Sequence, residues 1–177
     1  MLKPRTMLAI TLIAAAAASR LLPHPPNMTS VTAIALFGGA MLADWRLAFL
    51  VPLAAMFAGD LVLGFHSQMF SVYGSFALIV CMGLWLQRRR TPARIAGAAV
   101  AASLVFFAIT NFGVWALDAM YPHTPAGLVA CYTAALPFLR NTLAGDLLYT
   151  LVLFGGMALV ERQFPAFRNR AGVPAQA

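Results

Sequence analysis

The sequence predicts an all-α integral membrane protein, with six transmembrane helices packed as one compact domain over residues 1–177. Of the 177 residues, 62% are hydrophobic and only 10% are charged, whereas charged residues form about a quarter or more of a soluble surface. The hydrophobic residues fall into runs close to the roughly 20 residues that a helix needs to cross a bilayer. Nine of the 12 basic residues lie between these runs or beyond the first and last of them. These observations exclude a soluble enzyme.

Six apolar runs define the predicted helices, and each is free or nearly free of charge. They cover residues 7–22, 30–43, 47–64, 70–87, 94–117 and 139–160. The first follows Lys3 and Arg5 and ends in an alanine run, a pattern also found in cleaved signal peptides. We expect it to be retained as a helix. The second run is the shortest, so we expect it to be tilted, extended at its ends or shielded by its neighbours.

The breaks on the two sides of the predicted bundle differ in composition. Those assigned to the outer side cover residues 23–29 and 64–71 and a longer stretch, 118–138. Such a stretch is too long for a simple turn, and we predict that it folds over the outer face as a lid or forms a partial helix. The inner breaks are brief and basic, and residues 161–177 form a basic cytoplasmic tail. The outer side is therefore the expected side for a ligand.

The positions of the charges predict the orientation in the membrane. The net charge of +7 comes from 12 Lys and Arg against 5 Asp and Glu. With a cytoplasmic N-terminus, every basic residue except Arg20 and Arg140 lies on the cytoplasmic side, as the positive-inside rule requires. Both termini are then cytoplasmic, and we expect a multi-pass protein of the inner (plasma) membrane, surrounded by the lipid bilayer. Because the basic residues lie in loops without a recognition fold, we expect no nucleic-acid partner.

The sequence lacks the common motifs of ATP hydrolysis and hydrolytic catalysis. It contains no GxxxxGK[ST] motif, and Lys3 is its only lysine, so no P-loop can form. GxSxG, HExxH and CxxC are also absent, which leaves an enzymatic function with little support. We therefore expect no ATP site in this chain, so that energy for transport comes from a partner or a gradient.

Polar residues within the apolar runs are candidate functional residues, because they are costly in lipid. They are Asp60, Asn111, Asn141 and Asp146, with Arg140 at the outer mouth of the last helix. In one interpretation, Arg140 pairs with an aspartate on another helix and Asn111 bridges two helices. In the other, these side chains line a pocket.

Histidines and cysteines offer two further possibilities. His24, His66 and His123 fall one in each outer break, where three imidazoles could bind a transition metal or simply be solvated. Cys81 shares a helical stripe with Gly74, Ala77 and Leu78, which could form one wall of a groove. A small packing residue is the alternative interpretation of Cys81 and equally of Cys131.

Five strings of the sequence together resemble a known family. They are PHPPNMTSVTAIALFGG (23–39), FLVPLAAMFAGDLVLGFH (49–66), VYGSFALIV (72–80), ITNFGVW (109–115) and ALPFLRNTLAGDLLYT (135–150). The sequence resembles the S-components, the six-helix substrate-binding subunits of energy-coupling-factor (ECF) vitamin transporters. It is most similar to their solitary cobalamin-specific type, called BtuM, over nearly the whole chain.

The resemblance implies an uptake protein that binds cobalamin (vitamin B12) at its outer face, beneath the loops joining helices 1–2, 3–4 and 5–6. It also implies a cysteine that ligates cobalt, and Cys81 matches that position, with Cys131 in reserve. A soft thiolate suits a transition metal, and its donation would weaken the bond on the opposite face. Cys81 could thus remove cyanide from cyanocobalamin as an incidental activity. The implied partner is an ECF energising module of a coupling subunit and two ATPases, docking on the alanine-rich first helix.

A pocket for a corrin needs aromatic surface and hydrogen-bonding groups. Besides Cys81, the residues expected to supply them are Tyr73, Ala77, Asn27, His66, Asn111, Trp115, Tyr121, Tyr132 and Arg140. Three other functions fit the sequence. The chain could import another small vitamin with Cys81 unused, take up a divalent metal through the outer histidines, or couple transport to a gradient with Asp60 and Asp146 as proton sites.

Overall fold

The computed structural model describes residues 2–168, and this part of the chain contains six α-helices and no strand. The helices are α1 (Pro4–Ala18), α2 (Val31–Met41), α3 (Trp45–Leu63), α4 (Met69–Leu86), α5 (Pro92–Leu117) and α6 (Pro125–Gln163). The expected all-α fold is therefore confirmed. Four of the helices, α3 to α6, are long and apolar enough to cross a membrane, judged by length and composition.

The loops lie at two ends of the bundle. We call the end that carries residues 22–30, 64–68 and 118–124 the outer end, and the end that carries residues 42–44 and 87–91 the inner end. Short 3₁₀ turns follow α1 at Ser19–Leu21 and α6 at Pro165–Phe167. The predicted basic tail is helical up to Gln163, and its residues 169–177, with Arg170, lie outside the described part of the chain.

Local sequence signals fix where three helices begin. The side chains of Asp44, Thr91 and Thr124 accept hydrogen bonds from backbone amides in the first turns of α3, α5 and α6, and such caps satisfy otherwise unpaired donors. In α5 and α6 the cap is followed at once by Pro92 or Pro125, a residue favoured at the first helical position. A Thr-Pro pair therefore starts each of the last two helices.

The structure corrects the prediction of a lid over residues 118–138, because most of this stretch is helical, as the alternative of a partial helix implied. The last helix begins at Pro125 and not at residue 139, so only residues 118–124 form a connection. Pro137 lies inside the continuous helix, although the predicted break included it. The resulting 39-residue helix is roughly 58 Å long, well beyond the ~30 Å thickness of the hydrocarbon core. Its first third packs on α5, where the Tyr132 hydroxyl donates to the carbonyl oxygen of Ala108 at 2.6 Å.

The shortest helix, α2, lies at the centre of the bundle. All 11 of its residues are buried, which confirms that the second apolar run is shielded by its neighbours. At about 16 Å it is too short to span a bilayer by itself. It crosses α4 with backbone nearly touching backbone, since a Cβ atom added to Gly83 would collide with the carbonyl oxygen of Leu36, and one added to Gly39 with that of Val80.

Side chains from other segments satisfy both ends of α2. Gln87, Arg90 and Arg5 donate at the inner end to the carbonyl oxygens of Gly39, Ala40, Met41 and Leu42. Arg5 is also ion-paired with Glu161 at 2.8 Å. At the outer end the buried carboxylate of Asp146 in α6 lies next to Thr32 and the Ala33 amide in the first turn of α2, and it accepts a hydrogen bond from the Ser103 hydroxyl at 2.6 Å. Cations at the C-terminus and a carboxylate at the N-terminus both suit the helix dipole.

Candidate functional site

A cavity of about 320 Å³ lies at the outer end of the bundle, beneath the α1–α2 and α3–α4 loops. We call it the outer cavity. Its wall comes from these two loops, from the outer half of α5 and from Thr142 of α6. Apolar side chains such as Val72 and Phe106 alternate in the wall with polar ones such as Thr110 and Asn111. A mixed lining of this kind, at the small end of the roughly 300–1,000 Å³ of ligand pockets, suits a small organic molecule.

Three of the residues predicted from the sequence meet in the wall of the outer cavity. Asn27 reaches it from the α1–α2 loop, His66 from the α3–α4 loop and Asn111 from α5. Asn27 has a positive φ of 61°, a conformation that asparagine tolerates better than most residues and that turns the loop over the cavity. The side-chain amide of Asn111 donates to the Phe107 carbonyl within α5 at 2.8 Å.

Neither cysteine lies at the outer cavity, contrary to expectation. Cys81 is exposed, and it lies in a groove between α4 and α5 beside Trp85 and Arg94. The predicted stripe therefore lies on the exposed side of α4, facing away from the core. The buried face of α4 carries Ser75, Phe76, Ile79 and Val80. Ala77, expected in the pocket wall, is absent from the cavity lining as well. A helical wheel groups residues on one stripe, but it does not say which stripe faces the core.

The reserve candidate, Cys131, is buried, and its thiol contacts the Asn111 carbonyl oxygen at 3.4 Å. None of the predicted aromatic residues lines the cavity, and Trp115 at the end of α5 packs against the α5–α6 connection. The indole N–H of Trp115 donates to the Pro122 carbonyl at 3.0 Å, and its ring packs edge-on against His123. Tyr121 is half-buried in the same connection, and Arg140 is exposed on α6.

The three outer histidines are not brought together. His66 lines the cavity, His24 contacts the neighbouring Pro25 carbonyl, and His123 packs on Trp115. Among residues 2–168 no group of three or more His, Cys, Asp or Glu side chains is placed to hold a metal ion. The structure therefore gives the metal-uptake alternative no site.

A buried ion pair borders the outer cavity, and it was not predicted. Arg20, just beyond α1, pairs with Asp60 of α3 at 3.1 Å, and their side chains are only 11% and 2% exposed. Tyr73, predicted as a pocket residue, donates its hydroxyl to the other oxygen of Asp60 at 2.7 Å. Arg20 itself lines the cavity. The partner of the buried carboxylate is thus Arg20, and not Arg140 as the sequence suggested.

The cavity wall also contains a polar group that, unlike the ion pair, has no partner in the described part of the chain. The side-chain amide nitrogen of Gln68 is buried and has no hydrogen-bond partner among the described residues, while its oxygen accepts from Ser71 at 3.4 Å. Gln68 lines the cavity. Its side chain packs against Gly113 of α5, where only a glycine fits, because an added Cβ atom would collide with Ser71 and lie 2.7 Å from the side-chain oxygen of Gln68. Leaving a buried donor unpaired costs about 1–3 kcal/mol, and a bound molecule recovers this cost only if the side chain turns its amide nitrogen to the cavity surface.

A model of one protein family matches residues 1–167. The chain belongs to this family, which is described as a family of unknown function, DUF6580. The matched region of this DUF6580 protein extends from α1 to the final 3₁₀ turn, so the family model covers the entire bundle. No curated protein and no solved structure matches the chain.

The lining of the cavity in this DUF6580 protein combines hydrogen-bonding groups with apolar surface. Because Asp60 neutralises Arg20, the wall carries hydrogen-bonding groups without a large net charge. Gln68, Asn27, Asn111 and Thr110 can donate or accept, while Val72, Phe106 and Val114 offer apolar surface. A neutral or zwitterionic small molecule with polar substituents fits such a lining better than a multiply charged one.

Proposed function

We propose that this DUF6580 protein is a multi-pass membrane protein that binds a small polar solute in the outer cavity and takes part in its uptake. The observation that carries the proposal is the buried, unpartnered amide of Gln68 in the wall of that cavity. The resemblance to vitamin-binding S-components favours a vitamin-sized ligand. A cavity of about 320 Å³ suits such a ligand better than a whole corrin, which exceeds a small pocket.

The proposed orientation places the cavity on the extracytoplasmic side of the inner membrane, with six crossings and both termini in the cytoplasm. It is supported by the exposed arginines of the inner end, Arg46, Arg88, Arg89 and Arg94. In this arrangement α2 is one of the six crossings, although it is too short to span the bilayer by itself. It can take this place because longer helices surround it. The exposed alanines Ala14 and Ala18 of α1 give an ECF coupling subunit a surface for close helix packing.

The orientation predicts which engineered cysteines can be labelled from outside. In a chain carrying Cys81→Ala and Cys131→Ala, we expect a membrane-impermeant maleimide to label Ser67→Cys in intact cells. Ala93→Cys should be labelled only after the membrane is opened. Both positions are exposed loop or helix-end sites, so the substitutions leave the core unchanged. Labelling of Ala93→Cys alone in intact cells contradicts the orientation.

The proposed site predicts that filling the cavity weakens binding. The purified protein is screened for ligand-induced thermal stabilisation with thiamine, riboflavin, biotin, pantothenate, nicotinate and cyanocobalamin. For the ligand that binds, Thr110→Trp should weaken affinity roughly tenfold or more, a loss of at least about 1.4 kcal/mol, because the indole ring occupies space that the ligand needs. The matched control is Gly74→Leu on the exposed side of α4, where an added Cβ atom meets nothing within 4 Å. Equal affinity of the two variants contradicts the site.

Cobalamin import with Cys81 as cobalt ligand is the second candidate, and it is favoured by the five strings that resemble the cobalamin-specific S-components. Because Cys81 lies in the α4–α5 groove, ligation there places the corrin on the side of the bundle or requires the helices to move. The visible spectrum of cyanocobalamin mixed with the wild-type protein and with Cys81→Ala separates the two candidates. A spectral shift that is lost in Cys81→Ala supports cobalamin, whereas no shift favours a smaller ligand in the outer cavity.

A further inference from the structure

A long apolar groove follows the seam between α4 and α5 on the exposed surface of the bundle. Its inner part is a hollow of about 530 Å³ beside Cys81, Gly97 and Ala101. A second hollow of about 380 Å³ continues toward the outer end beside Gly74 and Leu78. The groove exists because small residues on both helices leave the space that larger side chains would fill. We call it the α4–α5 groove.

The inner end of the α4–α5 groove carries aromatic and basic side chains. Arg94 lines the groove itself, together with Trp85, whose side chain is 64% exposed. Arg88 and Arg89 are exposed in the adjoining loop, while Arg90 turns inward to the Ala40 carbonyl. Within residues 2–168 the ion pairs are those of Arg5 with Glu161 and of Arg20 with Asp60. The three exposed arginines therefore have no carboxylate partner in the described chain.

We propose that the α4–α5 groove binds one anionic phospholipid. An acyl chain lies along the small-residue seam, and the phosphate contacts Arg94 with Arg88 or Arg89. Arginine matches phosphate geometry through paired N–H donors, and basic pockets between membrane helices bind anionic headgroups. Trp85 lies at the level where tryptophans prefer the membrane interface. The proposal depends on membrane embedding and not on a ligand of the outer cavity, because the arginines that contact the phosphate lie at the inner end of the bundle.

A lipid explains the groove better than a second copy of the chain. A symmetric dimer through this seam would place the Arg88–Arg94 segments of two chains side by side. Each chain carries a net charge of +7, and like charges brought together in this way repel. An anionic headgroup neutralises the same arginines, so charge complementarity favours the lipid.

Native mass spectrometry of the full-length protein tests the proposal with two probes of identical acyl chains, phosphatidylglycerol and phosphatidylcholine. We expect the wild-type protein to retain one phosphatidylglycerol in preference to phosphatidylcholine. Arg94→Gln should reduce this preference about fivefold, the effect expected of one arginine near a headgroup. Gly97→Leu should remove the bound lipid while the chain stays folded, because an added side chain meets nothing within 4 Å.

Arg46→Gln is the matched control, because Arg46 also lies next to an exposed tryptophan, Trp45, near the inner end but on α3. It should leave retention unchanged. Cys81 provides an independent readout in the groove, since Cys131 is buried. Phosphatidylglycerol should slow the reaction of Cys81 with N-ethylmaleimide in the wild-type protein, and slow it less in Arg94→Gln.

Three results would overturn the proposal. The first is equal retention of the two lipids by the wild-type protein. The second is a loss of retention in Arg46→Gln as large as that in Arg94→Gln, which indicates unspecific charge attraction. The third is a dimer that Gly97→Leu dissociates, which assigns the groove to a second copy of the chain.

Discussion

Replacing Gly83 with leucine is expected to prevent the bundle from folding. At this position α4 crosses the central helix α2 so closely that a single added Cβ atom would collide with the Leu36 carbonyl oxygen and lie 2.8 Å from the Cα atom of Gly39. The obstacle is backbone and not a flexible side chain, so it cannot move aside. We expect a loss at or above the upper end of the about 1–3 kcal/mol that overpacking costs.

The measurements are the yield of monodisperse protein in detergent and its melting temperature. Gly74→Leu is the control on the same helix, since nothing lies within 4 Å of a Cβ atom there. Leucine is favoured over glycine in a helix by about 1 kcal/mol, so this variant should fold at least as well as the wild-type chain. A Gly83→Leu protein that melts at the wild-type temperature would refute the close crossing of α2 and α4.

Hydrophobic runs predicted the third, fourth and fifth helices well, because a membrane helix needs an uninterrupted apolar length. The runs 47–64, 70–87 and 94–117 agree to within a few residues with α3, α4 and α5. The start of α6 was missed because Pro137 resembles a break and the Thr124–Pro125 pair was not used as a helix-start signal. Packing on α5 supports the helix on the way to Pro137, and such tertiary support leaves no local sequence pattern.

In the candidate site, too, the sequence predicts general placement better than contacts that depend on packing. Asn27, His66 and Asn111, expected as pocket residues, line one cavity, because loops on one side of a bundle and a polar residue within a span converge on the same end. The ion pair of Arg20 with Asp60 joins residues far apart in sequence, and only packing reveals which cation meets the buried carboxylate. The unpaired amide of Gln68 belongs to no motif at all. Charge and hydropathy therefore indicate the end of the bundle that carries the cavity, but not the contacts within it.

Asp60→Ala is expected to be the most damaging change among the buried polar residues. It leaves the guanidinium of Arg20, whose side chain is 11% exposed, without a countercharge. The Tyr73 hydroxyl also loses its acceptor. Removing one partner of a buried ion pair costs about 3–5 kcal/mol, because the other charge stays buried and uncompensated. The melting temperature in detergent should fall accordingly, and the affinity for the ligand of the outer cavity should fall with it, because Arg20 lines that cavity.

Two further variants separate the charge from the loss of packing. Tyr73→Phe removes only one hydrogen bond to Asp60 and should cost about 0.5–1.5 kcal/mol. The combined variant Arg20→Met, Asp60→Leu and Tyr73→Phe replaces the pair by apolar side chains of similar volume and removes the hydroxyl that would lose its acceptor, and such an exchange is often neutral for stability. It should therefore melt near the wild-type temperature and well above Asp60→Ala. If Asp60→Ala is as mild as Tyr73→Phe, Arg20 has access to water or another anion, and the cavity wall is then charged rather than neutral.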